Sequence, residues 1–288
     1  MASEIELKLA LGESGPDALR RHPRLAALSS RVGRLGNTYF DTPEGDLERS
    51  RSALRLRRDG ERLLQTVKTR GQGGGGLSSR GEWEWPVDGP GLDFEGLADI
   101  PPMAAFGRDT LSRLVPRFST DFTRETWWVE DGDAVIEVAL DTGEIYAGER
   151  TATIRELELE LKGGTESALH DLAAILAERV PLRPADTSKA ARGGALLLGH
   201  WHLPEGGTPA AWLHRAGVAL DALCDTGDPA WRREAQEAFQ HLAELGDDTA
   251  NDARWLAGAL DDAAWLTEAF GVRALSLSRH LPGDAALG

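Results

Sequence analysis

Cysteine, basic residues and long apolar runs are scarce in this sequence, and each shortage excludes a class of protein. The single cysteine, Cys224, leaves no internal disulfide and no cysteine-rich metal site. No apolar run approaches the roughly 20 residues that a bilayer-spanning helix needs. The first residues, 1–6, contain neither the basic nor the apolar region of a secretory signal peptide. We therefore expect a cytoplasmic protein without a membrane partner.

Acidic residues outnumber basic ones, since 47 Asp and Glu stand against 32 Lys and Arg and give a formal net charge of −15. Nucleic acids and anionic membranes are bound by net basic surfaces, so this balance argues against both as partners. A hydrophobic content of 41% with 27% charged residues is typical of a globular protein. The 288 residues suffice for one large domain, or for a medium domain with a smaller one.

Hydrophobic periodicity divides the chain into a strand-rich part and a helical part. Period-two alternation predicts strands at 4–11, 38–42, 52–58, 62–70, 80–87, 118–130, 134–140, 144–147 and 153–162. Helical spacing predicts helices at 165–180, 209–223, 229–245 and 249–270. The glycine-rich stretch 71–76 is predicted as a flexible hairpin tip, and 141–143 as a turn. We expect domains at 1–198 and 199–288, the second a small all-α bundle.

Charged side chains follow one face of each predicted strand. In the first strand Glu4, Glu6 and Lys8 alternate with aliphatic residues, and five later strands repeat the design. An open sheet with a solvated face of cross-strand ion pairs is one interpretation. A closed barrel with a polar lumen and helices outside also covers the apolar faces and removes the sheet edges, and we favour it.

The lumen of such a barrel would hold acids and bases at high density. The acids are Glu4, Glu6, Glu82, Glu84, Glu137, Asp141, Glu156, Glu158 and Glu160. The bases are Lys8, Arg55, Arg57, Lys68, Arg70, Arg124 and Lys162. Clustered carboxylates suit hard divalent cations such as Mg²⁺ or Mn²⁺, and clustered Arg and Lys suit phosphate. Together they predict a site for a metal-bound polyphosphate and phosphoryl-transfer chemistry.

Residues 4–8 read Glu-x-Glu-x-Lys, and further blocks follow at 39–42, 54–57, 65–69, 82–84, 118–124, 137–143, 156–162 and 188–189. In this signature and in the order of the blocks, the sequence resembles the CYTH superfamily, also called triphosphate tunnel metalloenzymes. The resemblance implies an α+β fold, with an eight-stranded antiparallel β-barrel, helices packed outside it and a divalent metal in its tunnel. The likeness is greatest to bacterial inorganic triphosphatases, whose C-terminal helices often form a basic CHAD module. Residues 195–288 carry six Arg, no Lys and fourteen acids, so we expect a truncated or diverged helical appendage here.

The resemblance also implies roles for individual residues. The expected metal ligands are Glu4, Glu6, Asp141, Glu158 and Glu160, for one or two ions. The expected phosphate-binding residues are Lys8, Arg55, Arg57, Lys68, Arg124 and Lys189. The expected catalytic residues are Lys8, Glu156 and Tyr39, which would position or activate the attacking water. Cross-strand ion pairing is the structural alternative for the charged residues, and a core aromatic for Tyr39.

These expectations lead to one functional hypothesis and several alternatives. The hypothesis is hydrolysis of inorganic triphosphate to pyrophosphate and phosphate, through in-line attack of a metal-activated water, with a small-molecule triphosphate as the partner. On the same fold, the alternatives are a thiamine or nucleoside triphosphatase and a class IV adenylyl cyclase. A non-catalytic polyphosphate-binding module is a further alternative, and the sequence leaves the oligomeric state open.

Overall fold

Ten strands form one sheet in the computed structural model, which describes residues 2–69, 72–245 and 249–281. The strands are β1 (Ala2–Leu11), β2 (Arg31–Asp41), β3 (Ala53–Asp59), β4 (Arg62–Lys68), β5 (Gln72–Gly74), β6 (Leu77–Pro86), β7 (Val115–Asp131), β8 (Ala134–Ala147), β9 (Arg150–Gly163) and β10 (Leu182–Pro184). The helices are α1 (Gly15–Arg20), α2 (Pro23–Ala26), α3 (Asp46–Arg49), α4 (Phe94–Asp99), α5 (Pro101–Ala104), α6 (Gly107–Leu111), α7 (Ser167–Ala177), α8 (Lys189–Leu198), α9 (Pro209–Thr226), α10 (Pro229–Glu244), α11 (Ala250–Ala259) and α12 (Glu268–His280).

Eight of the strands close into an antiparallel barrel. Their order is β1-β9-β8-β7-β2-β3-β4-β6, and residues 2–7 of β1 pair with β6 to complete the ring. The two short strands lie at its margins, with β5 on β6 and β10 on residues 9–11 of β1. A closed barrel leaves no long unpaired strand edge. The predicted fold class and the eight-stranded barrel are confirmed.

The outer face of the barrel is apolar and covered by helices. Helix α7 packs on one side, where Leu172 and Leu176 meet Leu7, Leu9 and other outward residues. The short helices α3 to α6 cover a second side, over an apolar cluster that contains Leu54 and Val67. The predicted alternation of charged lumen side chains with apolar outer ones is confirmed on these strands.

One end of the barrel is filled by apolar side chains and covered by α8. Phe122, Ile145 and Ile154 occupy lumen-facing positions there and pack with Leu196 of α8. The hydroxyl of Ser188 accepts a hydrogen bond from the Ala191 amide (3.2 Å) and caps α8. The sequence patterns did not predict this helix. Lys189, in its first turn, therefore enters the barrel from its end.

Strand β8 runs unbroken through residues 141–143, where the sequence predicted a turn between two strands. Both neighbours pair with this stretch, Thr142 lying opposite Thr123 of β7 and Arg155 of β9, so the backbone stays extended. Gly143 is needed for close approach, because a Cβ atom there would lie 2.2 Å from the Asp121 carbonyl oxygen. The predicted turn was wrong.

Within the described residues, the C-terminal part contains four helices, α9 to α12, where the sequence predicted three. The helix predicted at 249–270 breaks between α11 and α12. There the Thr267 hydroxyl accepts a hydrogen bond from the Phe270 amide (3.2 Å) and caps α12. The break places Trp265 edge-on to Phe270, 4.9 Å between ring centres, inside the bundle core. None of the helices in the described residues is long and apolar enough to span a bilayer.

The helical part packs directly on the barrel. Leu275 of α12 belongs to the apolar cluster beneath α7, and the Ser278 hydroxyl donates to the Gly75 carbonyl. The Gly76 amide in turn donates to Asp186 (2.6 Å), so the described part of the glycine-rich stretch is held in place. Arg70 and Gly71 lie outside the described residues. The division at residue 198, where α8 ends, stays a prediction.

Candidate active site

The barrel encloses a cavity of about 860 Å³ to which all eight of its strands contribute. It brings together ten of the predicted site residues: Glu4, Lys8, Tyr39, Arg55, Arg57, Lys68, Arg124, Glu158, Glu160 and Lys189. Strand register explains the gathering, since Lys8 lies opposite Glu158 and Glu137 lies opposite Glu160. The other three predicted residues, Glu6, Asp141 and Glu156, do not line this cavity.

Three carboxylates, Glu4, Glu137 and Glu160, form an acidic cluster on β1, β8 and β9. Burial raises the pKa of Glu160, and the charges of Glu4 and Glu137 raise it further against the opposing effect of Lys162. The Glu4 carboxylate accepts a hydrogen bond from Lys68 (2.8 Å). Oxygen-only clusters of this kind suit a hard divalent cation, which would relieve the repulsion among them.

Three guanidinium groups, Arg55, Arg57 and Arg124, form a basic cluster on β3 and β7. Burial and the nearby charges of Arg55 and Arg124 lower the pKa of Arg57 to about 10. Among the described residues, the buried Nε of Arg55 has no hydrogen-bond partner. This unpaired donor and the repulsion that acts on Arg57 both favour an anionic ligand at this place.

Lys189 lies among the carboxylates of Asp141, Glu156 and Glu158. Oxygens of these three acids come within 4.8 Å of one another, a spacing that suits a cation. The Lys189 ammonium fills the place, 2.8 Å from Asp141 and 3.0 Å from Glu158, and it donates to Glu156 as well. Burial disfavours its charge, but the three acids outweigh that effect and raise the pKa of Lys189. The cation of this trio is thus a side chain of the protein.

The three predicted residues outside the cavity are buried against cationic partners. Glu6 is 2% exposed and accepts hydrogen bonds from Arg80 and from the Ser78 hydroxyl. Asp141 is fully buried and binds Arg124 side-on, with both nitrogen–oxygen distances at 2.7 Å.

Glu156 is the third buried acid, and Lys189 and Arg192 both donate to it. Burial would raise the pKa of Glu156, but these two cations hold it below its usual value. The predicted catalytic and metal-binding roles of Glu6, Asp141 and Glu156 stay predictions. In the structure each of the three acids bonds to a cationic side chain that lines the cavity.

Lys8, Tyr39 and Lys68 also line the cavity. Lys8 is 6% exposed and lies opposite Glu158. Tyr39 stacks on Phe118, with 4.7 Å between the ring centres, so packing fixes its ring. Lys68 lies 2.8 Å from Glu4 and 3.2 Å from Glu82.

Two arginines of the site were not predicted. Arg80 of β6 lines the cavity, bonds to Glu6 and lies 3.5 Å from Glu4. It shares the strand parity of Glu82 and Glu84, and that signal was present in the sequence. Arg192 follows Lys189 by three residues on α8, so recognising the helix would have been necessary to find it.

The sequence model of the CYTH domain matches residues 2–193, which include every barrel strand and the first turn of α8. The chain belongs to the CYTH domain family. The match ends within α8, before α9 begins, so the family assignment covers the tunnel and does not extend to α9 to α12.

A curated relative of this CYTH chain is an inorganic triphosphatase of Haemophilus influenzae, 37% identical over 194 residues. The alignment covers 67% of this chain and 54% of the relative, so the chain spans about half the length of that protein. Among solved structures, a Hippeastrum protein reported to have a dominant triphosphatase activity is 23% identical, with a TM-score of 0.48 over 68% of this chain and 96% of its own. The PH1819 protein of Pyrococcus horikoshii is 19% identical, with a TM-score of 0.38 over 61% and 89%.

Proposed function

We propose that this CYTH protein hydrolyses inorganic triphosphate to pyrophosphate and phosphate, with a divalent cation as cofactor. The observation that carries the proposal is the coexistence of the acidic and basic clusters in one barrel lumen. A polyphosphate alone would satisfy the basic cluster, and a cation alone would satisfy the acidic one. A metal-bound triphosphate satisfies both. The inorganic triphosphatase relative supports this choice of substrate.

The acidic cluster is the proposed metal site. Glu4 and Glu160, both predicted ligands, would hold Mg²⁺ or Mn²⁺ together with Glu137, with Glu158 beside them. A bound divalent ion supplies Lewis-acid polarisation of a phosphoryl oxygen and lowers the pKa of a coordinated water. Glu6 and Asp141 were predicted as ligands too, and we propose that they act by holding Arg80 and Arg124 in place. The proposal allows for a second divalent ion in the lumen.

The basic cluster is the proposed phosphate site. Arg55, Arg57 and Arg124 would neutralise the phosphate chain, joined by Lys8, Lys68, Lys189 and the unpredicted Arg80. Arginine suits this role because its planar fork binds two phosphate oxygens at once. The apolar side chains beneath α8, Phe122, Ile145 and Ile154, would close one end of the lumen and exclude water from that side of the bound triphosphate.

Catalysis by these residues would be mostly positioning and charge neutralisation, as is usual for phosphoryl transfer. Lys8 and Tyr39 lie where they could orient the attacking water or the terminal phosphoryl group. Glu156 was predicted as catalytic, and we propose that it acts indirectly, by holding Lys189 from behind the lumen wall.

The test is incubation of the purified protein with tripolyphosphate, ATP or thiamine triphosphate and Mg²⁺ or Mn²⁺, each with and without a chelator. Phosphate, pyrophosphate and cyclic AMP are measured separately. We expect equal release of phosphate and pyrophosphate from tripolyphosphate, no release after chelation, and slower turnover of the other two substrates. Pyrophosphate with cyclic AMP from ATP would replace the proposal by a cyclase. Binding of tripolyphosphate without turnover would replace it by a non-catalytic binding module.

A further inference from the structure

Helix α9 of the C-terminal part carries two buried acids that face the barrel. Asp221 and Asp225 are four residues apart and therefore lie on one side of the helix. Their side chains are 5% and 2% exposed, and their cationic partners, Arg183 and Arg192, both belong to the barrel part of the chain. The helical part thus contributes carboxylates to two ion pairs across its junction with the barrel.

Arg192 connects Asp225 to the lumen wall. Its Nε and Nη2 donate to the two oxygens of Asp225, at 2.9 and 2.6 Å. Its Nη2 also donates to the Thr153 carbonyl (2.6 Å), and its Nη1 donates to Glu156. The second oxygen of Glu156 accepts from Lys189, which lines the cavity. One continuous chain of charged hydrogen bonds therefore runs from α9 to the lumen.

We infer that Asp225 is a positioning residue for the active site, acting through Arg192 and Glu156 on Lys189. The inference rests on the proposed function, because it takes Lys189 as a phosphate-binding group. Asp225 neutralises most of the charge of Arg192. The carboxylate of Glu156 can therefore bind Lys189 as well as Arg192. Without Asp225, Glu156 is the one carboxylate of the described residues that stays paired with Arg192, and Lys189 loses part of its hold on one of the three carboxylates around its ammonium.

The experiment is a double-mutant cycle between Asp225→Asn and Lys189→Ala, measured on the full chain. For Asp225→Asn alone we expect kcat/KM for tripolyphosphate to fall roughly 10-fold or more, as when outer-shell partners of an active site are removed. In the Lys189→Ala background the same substitution should change kcat/KM little, because the group on which it acts is gone. Equal effects in both backgrounds, or no effect in either, would overturn the inference.

Asp221→Asn is the matched control. It lies one turn away on the same helix with similar burial, and its contacts are Arg183 and the Thr187 amide. We expect it to lower the thermal midpoint, with an effect on kcat/KM that is the same in both Lys189 backgrounds. If Asp225→Asn does not fold, Asp225→Glu takes its place in the cycle, because it keeps the negative charge but displaces the carboxylate.

Failure of the proposed function can be told apart from failure of this inference. The same cycle is measured by calorimetric binding of tripolyphosphate, which requires no turnover. A wild-type protein that binds tripolyphosphate but does not hydrolyse it rejects the hydrolase proposal, while the coupling between Asp225 and Lys189 still decides the inference. A wild-type protein that neither binds nor hydrolyses tripolyphosphate rejects both.

Discussion

Arg57 and Glu160 share one lumen, and the surroundings of each disfavour its charged form. Burial and two neighbouring arginines lower the pKa of Arg57 to about 10, while burial and two neighbouring acids raise the pKa of Glu160. Glu160 has Lys162 as an ion-pair partner and Arg57 donates to the Asn37 side chain (3.0 Å), but no ion pair between described residues joins the two clusters. Such retained repulsion is typical of groups that meet a ligand of opposite charge. At the scale of residues, the site therefore retains two charges, on Arg57 and Glu160, that their surroundings disfavour.

Glu4→Gln tests the acidic cluster. The amide keeps the shape of the side chain but removes a negative charge from the proposed metal site, so metal-dependent hydrolysis should be lost. We expect a larger loss than the roughly 10–100-fold that outer-shell partners of a metal cost, with the thermal midpoint changed little. Phosphate release against Mg²⁺ concentration measures it. Glu125→Gln, on the outer face of β7 beside Arg20, is the control, and near wild-type activity of Glu4→Gln would reject the metal assignment.

Arg57→Gln tests the basic cluster. Because the substitution removes a destabilised buried cation, the free protein should become no less stable, while the affinity for tripolyphosphate falls. Hydrogen bonds to charged groups are worth about 1.5–3 kcal/mol, so we expect KM to rise by roughly 10-fold or more. Steady-state kinetics and thermal unfolding of the same preparations measure both effects. A fall in stability with unchanged KM would assign Arg57 a structural role instead.

Strand parity was sufficient to predict which residues face the lumen. Alternation on β1 assigned Glu4, Glu6 and Lys8 to the inside, and the structure agrees, since barrel pleating leaves no other choice. Parity could not distinguish a free carboxylate from a neutralised one. Asp141 is neutralised by Arg124, which lies opposite it on β7, and by Lys189, which arrives from a helix far along the chain. The contribution of Lys189 lies in the tertiary structure and not in any local pattern.

At the scale of elements, α8 and β2 illustrate what local patterns miss. Helix α8 contains Gly193 and Gly194, which lower helix propensity, and it is held by packing against β7, β8 and β9. The first half of β2, which includes Gly33 and Gly36, has little apolar alternation and was not predicted. Pairing with β7 from Arg31 to Asp41 keeps it extended. In both cases tertiary contacts override weak local preference.

Gly193→Ala tests how α8 is placed on the barrel. A Cβ atom at residue 193 would lie 2.2 Å from the Phe118 ring, which stacks on Tyr39. Either the ring pair or the helix carrying Lys189 must move, so we expect a loss of about 1–3 kcal/mol in the free energy of unfolding together with lower activity. Denaturant unfolding and kinetics measure the two effects.

Gly258→Ala is the matched control for the substitution in α8. It also replaces a helical glycine, but apart from its own helix backbone and chain neighbours no described atom lies within 4 Å of the added Cβ, so stability should stay or rise by up to about 1 kcal/mol. Equal behaviour of the two variants would contradict the close packing of α8 on Phe118.

At the scale of the whole molecule, the helical part is bound to the barrel by polar contacts close to the lumen. Asp221 and Asp225 reach Arg183 and Arg192, and His214 of α9 reaches Asp186 (2.8 Å), which also holds the Gly76 amide. Periodicity predicted the helices of this part but could not predict these contacts, because partners distant in the chain leave no local signal. The two parts therefore share one interface, and the protonation of His214 within it should influence the stability of both.

His214→Gln tests this boundary through pH. Burial lowers the pKa of His214, but the Asp186 carboxylate, with Asp221, outweighs that effect and the opposing charge of Arg51, and the net result is a raised pKa. A raised pKa means that the charged pair stabilises the fold fully below pH 6.5, and that this contribution is lost as pH rises through the folded-state value. Each unit of the shift is worth about 1.4 kcal/mol. Urea unfolding between about pH 6 and about pH 9 should therefore show wild type losing its advantage over the variant as pH rises. The exposed His202, replaced by Gln, should retain the pH profile of wild type, and a wild-type advantage that does not change with pH would contradict a charged His214–Asp186 pair.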